Sequence, residues 1–204
     1  MLLHIPVSPR GEASFSRSAG LTLLDRLHAM APRVEVVTRD LAAEPPTHPD
    51  HSFVEASLMP AADRSADQVE SLGLSETLIG ELEAADAVLV TTPMNNFTVP
   101  SALKAWIDHV VRPSRTFDIS PTGKIGLVPD RPVLAVVACG GRFGDFPGAQ
   151  EDFFTPYFKY VLGSIGITDV EVLRLEGLGH GPESIPDALG EAGSWLERIV
   201  SIER

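Results

Sequence analysis

Residues 87–113 read AVLVTTPMNNFTVPSALKAWIDHVVRP, and their order decides how the rest of the chain is understood. The run 87–92 is apolar almost without a break, which is the pattern of a strand covered on both faces by helices in a parallel sheet. Two prolines, Pro93 and Pro100, then bracket a turn that carries Met94, Asn95, Asn96 and Phe97. Beyond them Leu103, Trp106, Ile107 and Val110 recur at helical spacing on one face. Strand, polar turn and helix in that order make one βα unit, with the amides at the strand's carboxyl end.

The same signature recurs on either side. β-rich stretches stand at 2–7, 34–38, 133–138 and 170–175, and helical patterns at 16–30, 75–84, 151–165 and 184–202. Alternating strands and helices imply right-handed crossovers and an open, doubly wound sheet. Five strands suggest an α/β three-layer sandwich of the flavodoxin-like type, with a parallel sheet in the order 2-1-3-4-5 and one domain over 1–204. In such sheets a ligand sits beyond the carboxyl ends of the strands, near the point where strand order reverses. The segment 42–67 is rich in Pro, Asp and His and too long for an ordinary connection, so it reads as an excursion with little regular structure. Within it His48, Asp50 and His51 lack the spacing of a metal site, and no metal is expected.

Composition narrows the functions. The chain has 204 residues, is 44% hydrophobic and carries a formal net charge of -12. That charge opposes nucleic-acid binding, which needs clustered cations to displace counterions. No run is long and apolar enough for a membrane span, the N-terminus lacks the pattern of a secretory signal, and the single cysteine, Cys139, has no internal partner. These features read as a cytoplasmic protein free of membrane.

Three loops at one sheet edge carry the candidate chemistry. After strand 1, SPRGEASFSRS places Ser8, Arg10, Ser14, Phe15 and Ser16 at a helix start, where hydroxyls and free N–H groups can hold a phosphate. Plain capping by Ser14 or Ser16 explains the same residues. There is no GxxxxGK[ST] or GxGxxG motif, which disfavours a nucleoside triphosphate or a directly seated dinucleotide. The strand-3 loop offers Pro93, Met94, Asn95, Asn96 and Phe97, and the strand-4 loop offers Ala138, Cys139, Gly140 and Gly141. Cys139 follows a buried strand with no histidine beside it in sequence and reads as a structural thiol.

PMNNFTVPSALKAWIDHVVRPSRTF, followed by GKIGL and ACGG, resembles the FMN-dependent NADH-azoreductases over roughly two thirds of the chain. The usual pattern of that family is Pro-Met-Tyr-Asn-Phe, Pro-Ser, Leu-Lys, Trp-Ile-Asp, Arg and Thr-Phe. The resemblance implies that Ser8, Ser14, Phe15 and Ser16 hold the FMN phosphate. It implies that Met94, Asn95, Asn96 and Phe97 meet the isoalloxazine, and that Ala138, Cys139, Gly140 and Gly141 replace a Ser-Arg-Gly-Gly segment. Asn95 stands for the usual tyrosine, and the missing arginine leaves Arg142, one residue past the segment, as a substitute.

It implies further a ping-pong passage of two electrons from NADH or NADPH to quinones or azo compounds. The protein would be a homodimer with Phe117 lining the partner's pocket, and no protein residue would be a nucleophile, since the flavin carries the redox chemistry. His180, after strand 5, is a further candidate for the substrate pocket. Asp108 and His109 read as helix-exterior or dimer-surface residues rather than an acid–base pair. A flavodoxin-like one-electron carrier, which an acidic face suits, and a flavin-free binding domain remain as alternatives at the level of sequence.

Overall fold

The computed structural model describes residues 1–179, 189–190 and 192–202. Five parallel strands form the central sheet: β1 (Leu2–Pro6), β2 (Val36–Thr38), β3 (Ala87–Pro93), β6 (Val133–Ala138) and β7 (Val170–Leu175). Their spatial order is β2-β1-β3-β6-β7, the expected 2-1-3-4-5 once the additional strands β4 (Phe117–Ser120) and β5 (Gly123–Gly126) are counted. These two form a separate antiparallel hairpin between the third and fourth strands of the sheet. The sequence reading did not foresee it, because each strand has only four residues, and the alternation of Phe117, Asp118, Ile119 and Ser120 is too short to stand out.

Burial explains the strand patterns. The three central strands are buried along almost their whole length, whereas the edge strand β2 has no buried residue and β7 mixes buried with half-buried ones. Successive residues of β1 go to opposite layers. Leu3 and Ile5 join the core formed with helices α4 (Gly73–Ala84), α5 (Ser101–Val110) and α6 (Phe154–Gly163). Leu2 joins the other core, formed with α1 (Phe15–Met30) and the last helix, α7 (Gly193–Ile202). Each layer is anchored by one tryptophan, Trp106 or Trp195, both essentially inaccessible. An indole of this size buries about 200 Å², worth about 5 kcal/mol at roughly 25 cal/mol/Å². Neither Nε1 has a hydrogen-bond partner among the described residues, a cost of about 1–3 kcal/mol, so burial outweighs the orphaned donor.

Gly20 lets α1 approach the sheet at the strand-order reversal. A Cβ there would lie 2.4 Å from Thr91 Cγ2 and 3.5 Å from His4 Nε2.

The segment 42–67 departs from expectation, because local capping chemistry gives it structure. Asp50 accepts a hydrogen bond from Phe53 N at 2.8 Å and starts helix α2 (His51–Leu58). A 3-10 turn follows at Ala61–Asp63, and Ser65 with Gln68 forms a capping box for α3 (Ala66–Ser71). His109 is also not on the helix exterior. It is 3% exposed, its Nε2 lies 2.8 Å from the Thr47 carbonyl, and its ring meets Phe53 edge-on at 4.9 Å. It therefore fastens this segment to α5. Asp108 is on the surface, 2.5 Å from Lys104 Nζ.

His4, buried on β1, hydrogen-bonds Thr91 Oγ1 across 3.1 Å. Burial, aided by the Arg17 charge, pushes its pKa down to about 4 from an ordinary 6.5. A group whose pKa is lower in the folded state binds its proton more readily once unfolded, so its neutral form favours folding above pH 6.5. That advantage is lost progressively as pH falls toward 4. Comparing wild type with His4→Gln in urea titrations at pH 7 and pH 5, the wild type is expected to lose about 2 kcal/mol more on acidification.

Candidate functional site

The carboxyl ends of β1, β3 and β6 lie together, and the loops leaving them form two adjoining depressions that share Gly140. The first, a cavity of about 220 Å³, is lined by Ser8, Arg10, Ser14, Phe15, Pro93, Ala138, Cys139, Gly140, Leu178 and Gly179. The second, about 310 Å³, is lined by Met94, Asn96, Phe97, Gly140, Gly141 and Gln150. A larger depression of about 480 Å³ runs along the outer side of α1, away from the strand ends, and brings none of these loops together.

The first loop is rigid by construction. Ser14 is the N-cap of α1 and accepts from Arg17 N at 3.3 Å, with its hydroxyl oxygen 3.2 Å from that of buried Ser16. Ser8 Oγ accepts from Arg10 N at 3.4 Å. Arg17 Nε donates to the Ser8 carbonyl at 3.2 Å, and its Nη2 donates to Asp40 Oδ1 at 2.8 Å. That bond to Arg17 is the main reason the Asp40 carboxyl lies below the ordinary carboxylate range. Arg17 is thus held as a strut. The Arg10 guanidinium, by contrast, has no acceptor among the described residues and borders a cavity rimmed by hydroxyls. The N–H groups of Phe15 and Ser16 likewise find no acceptor there, as expected in the first turn of a helix. A cation, hydroxyls and a helix N-terminus facing one space suit a phosphate.

The second loop is a tight turn in which Asn95 and Thr98 exchange backbone hydrogen bonds at 3.0 and 3.1 Å. Its central residues, Asn96 and Phe97, have φ of 46° and 72°. Asparagine tolerates this region, but phenylalanine does so at a cost of order 1–3 kcal/mol. The strained turn leaves Phe97 52% exposed beside the cavity. Asn95 lines neither depression.

The third loop is clasped to the one after β7 by main-chain bonds. Leu178 N donates to Cys139 O and Gly179 N to Gly140 O, each at 3.1 Å, and Gly177 N donates to Gly141 O at 2.8 Å. The N–H groups of Gly140 and Gly141 have no acceptor among the described residues. A Cβ on Gly140 would meet nothing within 4 Å and would project into open space, so glycine here keeps the cavity floor bare.

Thirteen of the fourteen residues singled out at this edge thus gather where the strands end or directly beneath: all but Asn95 border a depression or, as Ser16, bond to one that does. Phe117 is buried in this chain's own core and borders neither depression. His180 lies outside the described residues. Arg142 leans against Gly177, whose Cβ would fall 2.9 Å from its Nε, and lines neither depression. Sequence reasoning missed Leu178 and Gly179, although their loop was in view through His180, and missed Gln150 and Arg17, for which only the folded contacts speak.

Known proteins resemble this chain in sequence and in fold. The Flavodoxin_2 family, described as having a flavodoxin-like fold, matches residues 1–199. FMN-dependent NADH:quinone oxidoreductase 2 of Cupriavidus pinatubonensis is 56% identical over 199 residues, 98% of this chain and 97% of that protein. FMN-dependent NADH:quinone oxidoreductase 4 of Pseudomonas fluorescens is 42% identical over 195 residues, 96% of this chain and 93% of that protein. Among solved structures, an FMN-dependent NADH-azoreductase from Bacillus anthracis in complex with FMN has a TM-score of 0.85 at 21% identity, covering 98% of this chain and 99% of the other. That last likeness concerns the fold.

Cys139 brings a thiol to the first depression beside the Ser8 and Ser14 hydroxyls, and its environment disarms it. Its side chain is 1% exposed, and burial pushes the thiol pKa up to about 12. At pH 8 the thiolate fraction falls roughly a thousandfold below that of an ordinary cysteine. Alkylation by iodoacetamide at pH 8 is expected to be slower in native than in urea-unfolded protein by at least that factor, followed by mass spectrometry.

Proposed function

Because the chain belongs to the Flavodoxin_2 family of flavodoxin-like proteins, we infer from its site and its relatives that it is an FMN-dependent NADH:quinone oxidoreductase. The observation that carries this reading is the continuous floor formed by two bare depressions meeting at Gly140, one suited to a phosphate and the other to a flat ring.

The residues present fit FMN. Arg10, the hydroxyls of Ser8 and Ser14, and the free N–H groups of Phe15 and Ser16 would hold the phosphate end, with Ser16 steadying Ser14. The ring would lie against Met94, Asn96 and Phe97, with the open N–H groups of Gly140 and Gly141 available to its polar edge. When bound, FMN supplies the two-electron chemistry, accepting a hydride from NADH and returning the electrons to a quinone.

The chain's own part is placement. Arg17 fixes the Ser8 carbonyl and so the loop that bears Arg10. The clasp between the Cys139–Gly141 and Gly177–Gly179 backbones fixes the cavity floor. The strained turn at Asn96 and Phe97 keeps an aromatic face and an amide at the rim, so that donor and acceptor in turn are held against the same surface, which is catalysis by proximity. The buried, protonated Cys139 takes no part as a nucleophile.

The quinone is the primary acceptor in this reading, with azo compounds a second class, and NADPH is an alternative donor. The whole of 1–204 works as one cytoplasmic domain. Among the described residues no helix is long and apolar enough to cross a membrane.

The protein acts as a homodimer. The β4–β5 hairpin supports this, since a two-stranded ribbon is marginal in water unless something packs on it. The strand pairing puts Ile119 on one face of this ribbon and Ile125 on the other, and they are 79% and 53% exposed. Phe117 on the same strand, buried under Lys124, anchors that ribbon to its own chain beside the proposed interface.

The absorption spectrum of purified, FMN-loaded protein tests the activity. Flavin bands are expected to bleach on anaerobic addition of NADH and to return with a quinone. Protein that takes up no FMN, or whose flavin NADH does not reduce, sinks the proposal. For the dimer, sedimentation velocity is expected to show two-chain particles for wild type and single chains for Ile119→Lys at micromolar concentration.

A further inference from the structure

Gln150 stands toward the far end of the loop between β6 and α6, well past Gly141, and it borders the second depression together with Met94, Asn96, Phe97, Gly140 and Gly141. None of these six residues carries a charge. The nearby cations are directed elsewhere: Arg142 leans on Gly177, and Arg174 pairs with Asp152 at 2.6 Å and Glu176 at 2.9 Å. Cys139, in the floor, is neutral. A ring bound here has uncharged residues as its immediate lining.

Two contacts hold Gln150 at this edge. Its backbone N–H donates to the Arg142 carbonyl at 2.9 Å. Its carboxamide occupies the space that a side chain at 141 would need: a Cβ on Gly141 would fall 2.4 Å from Gln150 Cδ, 2.5 Å from Oε1 and 2.8 Å from Nε2. Gly141 does not have a positive φ, so its backbone conformation does not call for glycine. The glycine makes room for the amide. That carboxamide has neither donor nor acceptor among the described residues, although it is half-buried beside a cavity.

The amide atoms of Gln150 are not among the buried side-chain groups left without a partner, so they are open to water at the depression and free to exchange it for a ligand. We infer, resting on the FMN-dependent reading above, that Gln150 contacts the flavin ring and, as the uncharged polar group in that position, sets the flavin's reduction potential. Two-electron reduction adds negative charge to the ring, so a neighbouring group stabilises the reduced form more as its own charge becomes more positive. The effect is strong where water is excluded and no other charge competes.

The test is a charge series at one position. Midpoint potentials of bound FMN are measured by spectroelectrochemical titration for wild type, Gln150→Glu and Gln150→Lys. The Glu variant is expected below wild type and the Lys variant above it. Each step should correspond to at least a tenfold change in the ratio of affinities for reduced and oxidised FMN, about 29.6 mV for a two-electron couple. As a check that needs no new charge, Gly141→Ala should displace the carboxamide and weaken FMN binding, and this effect should vanish in a Gln150→Ala background. Potentials that coincide across the series in variants that bind FMN, or a Gly141→Ala effect that persists without Gln150, overturn this inference alone. Wild-type protein that takes up no FMN overturns it together with the proposed function.

Discussion

Strands β1, β3 and β6 are covered on both faces, so their main-chain polar groups must pair with one another along the sheet and cannot turn to water except where the strands end. Parallel pairing brings those ends to one edge, and the loops leaving it must either satisfy their own N–H groups or hold them for a ligand. Both outcomes occur side by side. The Asn95–Thr98 turn and the clasp between the loops after β6 and β7 satisfy part of the backbone. Phe15, Gly140 and Gly141 line the two depressions with open donors, and Ser16, next to Phe15, keeps its own open as well. The site follows from the sheet's hydrogen-bond geometry combined with small residues at a few loop positions.

The distribution of charge serves the same end. With 28 acidic against 16 basic side chains, arginines have carboxylates within reach, and most are tied down. Arg17 is held by Asp40, Arg39 by Glu81 and Glu44, Arg112 and Arg115 by Glu76, and Arg174 by Asp152 and Glu176. Such pairs add little to stability singly where water reaches them, as it does at most of these though not at the buried Arg112. Their structural effect is to keep those cations off the strand ends, which leaves Arg10 to face the first depression and the second free of charge.

The loops read from sequence fell in place because each carries a signal that is local. Ser14 is recognisable as a cap from the helix that follows it, Asn96 as a turn residue from its flanking prolines, and Gly140 as a bare position from its place after an apolar strand. Gln150 carries no local signal, since its relevance arises from the missing side chain of Gly141. His109 misled for the opposite reason. The periodicity of α5 put it at the margin of the apolar face, and only the return of residue 47 onto that helix buries it. The segment 42–67 looked irregular because its helices are short, and short helices depend on caps such as Asp50 and Ser65 more than on periodicity.

By itself the sequence determined the layered parallel sheet, its strand order and the edge at which ligand-facing loops must collect, because continuous apolar runs separated by amphipathic helices leave few other ways to bury both sides of each strand. The tertiary structure decided which residues at that edge are free to bind. Arg10 is open and Arg17 is not, Gly140 faces space and Gly141 faces Gln150, and Phe117 is covered by its own chain while Ile119 on the same face is left exposed. The reason is physical. Burial pattern is a property of neighbours along the chain, whereas the availability of a charge, an N–H or a cavity wall depends on which distant side chain has already claimed the space beside it.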